Sequence, residues 1–263
     1  MSLEVRELRV EIDGAAVVDG VSFEVPDGAR VGLIGESGSG KSMTALALMG
    51  LEPDGAEVTG SILWNGRELV GLPDRERAAL RGADMGMVFQ EPRTALNPIR
   101  TVGRQMAEAA RIHGRLSRGD ARALAVELAE RVRLPDPGAI VGRHPHALSG
   151  GQRQRVAIAA ALAAEPRLLI ADEPTTALDV TIQAEILDLL LALTRDTEMG
   201  MLFITHDLAV LSRVAERGVV LERGRVVERA PVAELLSAPA HPVTQGLLRD
   251  AKATLWRREG GQL

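Results

Sequence analysis

Residues 35–42 read Gly35-Glu-Ser-Gly-Ser-Gly-Lys41-Ser42, and this stretch decides how the rest of the chain is interpreted. It matches the pattern G-x-x-x-x-G-K-[ST], in which glycines let successive backbone N–H groups surround phosphate oxygens. The apolar run Arg30 to Ile34 precedes it and a helix-like stretch, Ser42 to Met49, follows it. A strand before and a helix after form the context that this motif requires. We predict a phosphate loop made of Gly35, Glu36, Ser37, Gly38, Ser39, Gly40, Lys41 and Ser42.

Two side chains of the phosphate loop carry specific chemistry. Lys41 is expected to supply a point charge to the β- and γ-phosphates, and Ser42 a hydroxyl ligand for Mg²⁺. The helix that follows presents its positive N-terminus to the same anion. The motif therefore predicts a nucleoside triphosphate and Mg²⁺ as ligands.

A second polar signal ends an apolar strand, Arg167-Leu-Leu-Ile-Ala-Asp172-Glu173. Alone, it fits a strand that ends in a solvated turn equally well. Together with the phosphate loop, it predicts that Asp172 holds Mg²⁺ through water and that Glu173 polarises the attacking water. A carboxylate acts as a base only within hydrogen-bond reach of that water.

A third signal is Leu148-Ser-Gly-Gly-Gln152, the LSGGQ segment, followed by a helix-like run. Ser149 can cap that helix, and the glycines expose backbone N–H groups. The alternative is an ordinary serine-capped helix. A single γ-phosphate does not need two such helix termini from one chain, so we predict that this second one serves a neighbouring subunit.

Composition excludes several classes of protein. The 263 residues carry 36 acidic and 31 basic side chains, a net charge of −5, which argues against a dedicated nucleic-acid binder. There is no cysteine, so disulfides, thiolate zinc sites and iron–sulfur clusters are excluded. The N-terminal residues lack the apolar core of a signal peptide, and no stretch approaches the roughly 18–20 apolar residues of a spanning helix. Work at a membrane would require a partner.

The chain alternates strand-like and helix-like segments, which predicts an α/β fold with a largely parallel sheet. Residues 3–12 and 21–25 are predicted strands, with Asp13-Gly14 and Asp19-Gly20 as turn signals. Residues from about 100 to 165 change to helical character, with apolar side chains at helical spacing over 121–132. Ser117, three residues ahead of Asp120, is typical of an N-capping arrangement.

The phosphate loop, the LSGGQ segment, the strand ending in Asp172-Glu173 and a later strand ending at His206 together resemble the ATP-binding subunit of an ABC transporter. The resemblance runs from about residue 3 to 250. It implies a P-loop NTPase (RecA-like) core of mainly parallel sheet, an antiparallel β subdomain and a helical subdomain inserted at about 92–160. It also implies one ATP-binding domain over 1–240 and a short C-terminal extension over 241–263.

The resemblance also assigns roles that the residues alone support weakly. Gln90 would touch Mg²⁺ and the water, and His206 would contact the γ-phosphate; alone, both would be interpreted as structural polar groups. The family works as a head-to-tail dimer, with each ATP between one subunit's phosphate loop and the other's LSGGQ segment. Ala177-Leu178-Asp179 is similar to the D-loop at that interface. The implied partner contacts to ATP come from Ser149, Gly150, Gly151, Gln152 and Asp179.

Three stretches are similar to ATPases of the dipeptide, oligopeptide and nickel importers, namely Phe89 to Pro98, Asp172 to Gln183 and Ala240 to Leu248. The similarity implies two membrane permeases, a second identical or homologous ATPase subunit, and an extracytoplasmic solute-binding protein. It implies a place at the cytoplasmic face of the membrane, with a peptide or a nickel chelate as solute. The alternatives are the motor of an exporter and a soluble ABC protein.

The predicted purine pocket departs from this resemblance. Many members have an aromatic side chain in the first hairpin that stacks on adenine, whereas this chain has no tyrosine and places Ile12 there. Adenine against an aliphatic surface loses up to the ~1–3 kcal/mol that stacking on a base supplies. We expect modest affinity for ATP and weak discrimination from GTP.

Overall fold

A computed structural model describes residues 2–91, 95–114, 116, 120–176 and 178–259, without side chains for 254–259. The strands, in chain order, are β1 (Leu3–Ile12), β2 (Ala15–Val25), β3 (Arg30–Gly35), β4 (Glu57–Trp64), β5 (Arg67–Glu68), β6 (Met85–Val88), β7 (Leu168–Asp172), β8 (Gly200–Thr205), β9 (Arg217–Glu222) and β10 (Arg225–Pro231). The helices are α1 (Lys41–Met49), α2 (Asp74–Leu80), α3 (Val102–Met106), α4 (Glu108–Ile112), α5 (Ala121–Arg131), α6 (Pro137–Ile140), α7 (Gly150–Leu162), α8 (Val180–Thr197), α9 (Leu208–Val214), α10 (Val232–Ser237) and α11 (Pro242–Glu259).

The chain divides into two compact units, one made of Met1–Asp74 with Gly200–Leu263 and the other of Arg75–Met199. The first unit contains an antiparallel sheet in the order β2-β1-β4-β5. Its central strand β1 buries four apolar side chains, Leu3, Val5, Leu8 and Val10. They alternate along the strand except where a β-bulge shifts the register. This half-buried pattern is typical of a sheet with one face on a core.

The first unit also contains β3, which pairs in parallel with β8 on one side and with β9 on the other. Strand β10 then pairs antiparallel with β9. Helix α9 lies close against β3, because a Cβ on Gly32 would stand 2.0 Å from Cδ1 of Leu211. Gly32 thus permits the close approach of α9 to β3, which covers the core next to the phosphate loop.

The second unit pairs β6 with β7 in parallel and surrounds them with helices. Helix α7 packs closely on β6, since a Cβ on Gly86 would stand 2.5 Å from the carbonyl oxygen of Ala161. The guanidinium of Arg155 in α7 is largely buried, and it donates to the Val132 carbonyl at 2.9 Å and to Glu185 of α8 at 2.7 Å. These bonds tie three helical segments together around the LSGGQ helix.

The structure confirms the strand predicted over 3–12 and the turn predicted at Asp13-Gly14, but the turn predicted at Asp19-Gly20 is wrong. Both residues lie inside β2, where the register with β1 shifts between Leu8 and Val10 and Gly20 has a φ of +74°. The glycine therefore marks a β-bulge, which needs the same left-handed backbone as many turns. Ser117 lies outside the described residues. Over the described part of the chain, no helix is long and apolar enough to span a membrane.

Candidate functional site

The phosphate loop joins β3 to α1, and its lysine bonds back to the loop. Lys41 is only 4% exposed, and its Nζ donates to the carbonyls of Gly35 at 2.9 Å and Glu36 at 2.8 Å. The Ser39 hydroxyl lies 3.5 Å from the same nitrogen. A phosphate oxygen carries a negative charge, so it can replace these neutral carbonyls as a stronger partner of the ammonium.

Two glycines of the loop are required by close packing as well as by ligand access. A Cβ on Gly35 would stand 2.3 Å from the carbonyl oxygen of Leu221, and one on Gly40 would stand 2.8 Å from that of Val17. Gly38 differs, because its φ of +79° requires a glycine although the space around it is open. Gly38 and its neighbours Glu36 and Ser37 are exposed, so the outer rim of the loop is accessible to a ligand.

The predicted base lies where β7 ends, and the structure brings Gln90 to it. Oε2 of Glu173 accepts a hydrogen bond from Nε2 of Gln90 at 3.2 Å and another from Oγ1 of Thr176 at 2.8 Å. Glu173 has a φ of +44°, a strained backbone for a residue other than glycine. Asp172 is 4% exposed at the end of the buried strand. Strain and paired donors at one carboxylate are typical of a functional site.

Thr176 was not among the predicted site residues. The only signal for it in the sequence is a hydroxyl three residues after the acid, a spacing that a short turn brings into contact. The turn is present, with the N–H of Thr176 donating to the carbonyl of Glu173 at 3.2 Å.

The LSGGQ segment forms a complete capping box at the start of α7. The N–H of Gln152 donates to Oγ of Ser149 at 3.2 Å, and the N–H of Ser149 donates to Oε1 of Gln152 at 3.0 Å. A Cβ on Gly151 would stand 2.7 Å from Cγ2 of Ile182, whereas the nearest atom to one on Gly150 is 3.6 Å away. The predicted cap is confirmed, and Ser149 itself remains exposed.

Asp179 caps α8, with its Oδ1 accepting from the N–H of Ile182 at 3.0 Å. The Asp179 side chain is exposed. Ala177, the first residue of the predicted D-loop, lies outside the described residues.

His206 and Ile12 occupy well-defined places in the first unit. His206 directly follows the buried strand β8 and is exposed. Its neighbour Asp207 caps α9 by accepting from the N–H groups of Ala209 and Val210 at 2.8 and 3.3 Å, so the backbone on both sides of the histidine is held. Ile12 ends β1 and is half-buried.

The remaining histidines have structural partners. Nε2 of His113 lies 2.8 Å from the carbonyl oxygen of Arg81, and the rings of His144 and His146 stack with centroids 5.6 Å apart. Nδ1 of His241 accepts from the N–H of Val243 at 3.3 Å.

Comparison with known proteins decides the family. The family described as "ABC transporter" matches residues 18–176, a range that includes the phosphate loop, the LSGGQ segment and Glu173. The chain belongs to the ABC transporter family of ATPases. The family, the α/β fold class with its parallel and antiparallel strands, and the ATPase activity expected from the sequence are therefore confirmed.

Curated relatives of this ABC ATPase carry transport names. A Brucella melitensis protein, named as a peptide import ATP-binding protein, is 49% identical over 257 residues, covering 94% of this chain and 76% of the relative. The glutathione import ATP-binding protein GsiA of Pectobacterium atrosepticum is 48% identical over the same length. The match covers 94% of this chain but 41% of GsiA, which is a longer protein.

Solved structures agree with the fold of this ABC ATPase. The ATP-binding cassette MJ0796, described as a dimer in a post-hydrolysis state bound to ADP and Pi, superposes with a TM-score of 0.77 at 28% identity. That match covers 88% of this chain and 98% of the cassette. CbiO1 from Clostridium perfringens, described as part of the transporter complex cbiONQ, gives a TM-score of 0.77 at 26% identity, covering 98% and 97%.

Proposed function

We propose that this chain is the ATP-hydrolysing subunit of an importer for peptides. Membership of the ABC family supports the transport ATPase, and the names of the Brucella and Pectobacterium relatives support import of peptides, since glutathione is itself a small peptide. The observation that carries the catalytic part is the carboxylate of Glu173 held by Gln90 and Thr176.

The phosphate loop binds ATP in this proposal. Lys41 transfers its ammonium from the carbonyls of Gly35 and Glu36 to the β- and γ-phosphates, where the ion pair is stronger than a bond to a neutral carbonyl. The backbone N–H groups of the loop and the N-terminus of α1 add further positive potential. Ile12 lies against the purine, and His206 contacts the γ-phosphate.

Ser42, Gln90 and Asp172 are the proposed contacts of Mg²⁺. All three offer the oxygen donors that this ion prefers, and Mg²⁺ commonly takes one or two protein ligands with phosphates and waters completing its shell. The described residues contain no cluster of three His, Asp or Glu side chains able to hold a metal unaided. When bound, the ion neutralises charge that develops between the β- and γ-phosphates.

Glu173 is the proposed base. Its Oε2 accepts two hydrogen bonds, which orient the carboxylate so that it can accept a proton from the attacking water. Gln90 contacts this carboxylate directly and is proposed to contact the water and Mg²⁺ as well. A rearrangement at Gln90 would then alter both the base and the metal.

The LSGGQ segment and Asp179 serve a second copy or homologue of the ATPase in this proposal. Ser149 and the Gly150–Gln152 N–H groups lie at an exposed helix terminus that can receive the γ-phosphate of the ATP held by the partner. The MJ0796 structures, both described as dimeric, support a dimer of such cassettes. The dimer is proposed to act beneath two permeases at the cytoplasmic face of the membrane, fed by an extracytoplasmic solute-binding protein.

Uptake of labelled solute tests this proposal. The chain is expressed together with the proposed permeases and binding protein in cells lacking their own peptide uptake, and wild type is compared with Glu173→Gln. We expect ATP-dependent uptake of a labelled di- or tripeptide that the variant abolishes. Uptake of glutathione would narrow the class, whereas uptake of a nickel chelate without peptide would contradict the peptide assignment. Equal uptake by the variant would contradict the role of Glu173.

A further inference from the structure

The phosphate loop is supported from outside by the turn between β9 and β10. The N–H of Gly224 in that turn donates to the carbonyl of Ser39 in the loop at 3.0 Å. The Cα of Gly224 also stands 3.3 Å from the place of a Cβ on Gly40. The backbone of the turn therefore touches the loop at its two residues before Lys41.

The same turn is held by β2. The N–H of Asp19 donates to the carbonyl of Gly224 at 2.8 Å. A Cβ on Gly224 would stand 2.6 Å from the carbonyl oxygen of Val17, and its φ of +80° is unfavourable for any side chain. Gly224 thus accepts from β2 through its carbonyl and donates to the phosphate loop through its N–H.

Charged side chains also link the turn to β2. Oδ2 of Asp19 accepts from Nε and Nη2 of Arg225 at 2.8 and 2.5 Å, a two-point contact, and Oδ1 accepts from Nη1 of Arg9 at 3.0 Å. Arg9 also pairs with Glu11. Asp19 lies at the β-bulge of β2, so this irregularity in the strand coincides with the residue that links both arginines.

We propose that Asp19, Gly224 and Arg225 form a loop brace that holds the phosphate loop in its binding conformation before ATP arrives. They are positioning residues and act through Ser39 and Gly40. A loop that is already ordered loses less conformational entropy on binding, so its affinity for phosphate is higher. The inference rests on the proposed binding of ATP phosphates by this loop.

The charges in and around the loop brace allow a positioning role to be distinguished from an electrostatic one. The four charged side chains Arg9, Glu11, Asp19 and Arg225 sum to zero, so the brace does not attract ATP by a net field. Removing Asp19 leaves the other three side chains with one positive charge in excess. If the cluster acted only through its electric field, Asp19→Ala would strengthen ATP binding. The loop brace predicts the opposite, because the geometry is lost.

Nucleotide binding and turnover of the complete protein test the loop brace, with MgATP, MgADP and adenosine as probes. For Asp19→Ala and Arg225→Ala we expect the Kd of MgATP and MgADP and the KM to rise about threefold to fivefold, the range that exposed ion pairs support. The kcat at saturating MgATP and the affinity for adenosine, which has no phosphate, should remain within about twofold of wild type.

Two further variants separate positioning from general stability. Arg229→Ala is the matched control, since Arg229 also lies in β10 and its Nη1 donates to a β2 carbonyl, that of Ser22, at 3.2 Å. We expect it to bind MgATP as wild type does. Arg225→Lys should recover part of the lost affinity by restoring one hydrogen bond to Asp19.

The outcomes distinguish the loop brace from the proposed function. If Asp19→Ala binds MgATP as tightly as wild type or more tightly, the loop brace is wrong. If wild type itself does not bind MgATP, the proposed function fails instead. Should Asp19→Ala not fold, Arg225→Ala decides, because the Arg225 side chain is 70% exposed and its loss leaves the core intact.

Discussion

The side-chain amide of Gln90 donates to Oε2 of Glu173 across 3.2 Å, although the two residues are 83 positions apart in the chain. The contact places a neutral donor on the carboxylate at the end of β7, beside the hydroxyl of Thr176. Both donors hold the same oxygen, Oε2, and so fix the orientation of the carboxylate. In the proposed function, Glu173 is the base and Gln90 positions it.

Replacing Glu173 with Gln removes the base and keeps the shape of the side chain. We expect kcat to fall by about 10²- to 10⁴-fold, the usual contribution of general-base catalysis, while the Kd of MgATP stays near that of wild type. Steady-state ATPase assays and nucleotide titration measure the two quantities. Glu198→Gln is the control, since Glu198 also has a left-handed backbone, with a φ of +53°, at the exposed end of α8. Wild-type turnover by Glu173→Gln would contradict the assignment.

Replacing Gln90 with Ala removes the amide that donates to Oε2 of Glu173. Since Thr176 still holds Oε2, we expect kcat to fall by about twofold to tenfold, the range of one hydrogen bond. The double variant Gln90→Ala with Thr176→Val should lose more than either single variant. Gln245→Ala, whose amide donates to the Pro239 carbonyl in the other unit, is the control. A kcat for the double variant equal to that of wild type would show that neither group positions the base.

Mixed dimers test whether each ATP lies between two subunits. Lys41→Ala should abolish binding at the variant's own phosphate loop, and Ser149→Ala should lower kcat about ten- to hundredfold through loss of a charge-assisted hydrogen bond. A mixture of the two variants contains dimers with one intact composite site, so we expect activity to recover on mixing. Ser149→Thr keeps a capping hydroxyl and should retain most of the activity. A mixture no more active than its components would argue against shared sites.

The carboxylate of Glu228 in β10 forms hydrogen bonds with the start of α11 and the residues just before it. It accepts from the N–H groups of Ala240 and His241, each at 2.9 Å, and from Oγ1 of Thr244 at 2.5 Å. Partial burial alone would raise the pKa of Glu228, but the hydrogen bonds from Thr244, Ala240 and His241, with the charge of the His241 ring, lower this pKa below its ordinary value of 4.5. Folding therefore favours the ionised form.

Because the pKa of Glu228 is lowered on folding, its stabilisation is present above about pH 4.5 and is lost as the pH falls through the folded pKa. We expect Glu228→Gln to lower Tm by about 2–4 °C at pH 7, the shift for about 1 kcal/mol in a domain of this size. The difference from wild type should shrink below pH 4. Thermal melts from pH 3 to 7 measure it, with the exposed Glu234→Gln as control. A Tm difference that does not change with pH would contradict this linkage.

Replacing Ile12 with Tyr tests the purine pocket. Stacking on a base is worth about 1–3 kcal/mol, so Ile12→Tyr should tighten ATP binding by about fivefold or more. Ile12→Leu keeps an aliphatic surface and should leave the affinity unchanged. Titration with ATP and GTP measures both affinity and selectivity. Two results would contradict the placing of the purine against Ile12. They are a strong preference of the wild type for ATP over GTP and an ATP affinity of Ile12→Tyr equal to that of wild type.

Local sequence determined the parts of the site that depend on backbone conformation. The glycine spacing of residues 35–42 is sufficient to predict the phosphate loop, because few other residues allow the left-handed turns and the close contacts found there. The serine and glutamine of the LSGGQ segment predict their capping box in the same way, since all partners lie within four residues.

Tertiary structure decided the contacts between residues that are far apart in the sequence. Asp19-Gly20 is equally suited to a turn or a bulge, and only pairing with β1 makes it a bulge that brings Asp19 to Arg225. Likewise, no local pattern places Gln90 on Glu173, since parallel pairing of β6 with β7 aligns the ends of two strands far apart in sequence. The sequence by itself determined the family, because the motifs are local, and the phosphate loop, because short-range sterics fix its conformation. The packing of strands decided which side chains support the base and the loop, because those contacts exist only once the chain is folded.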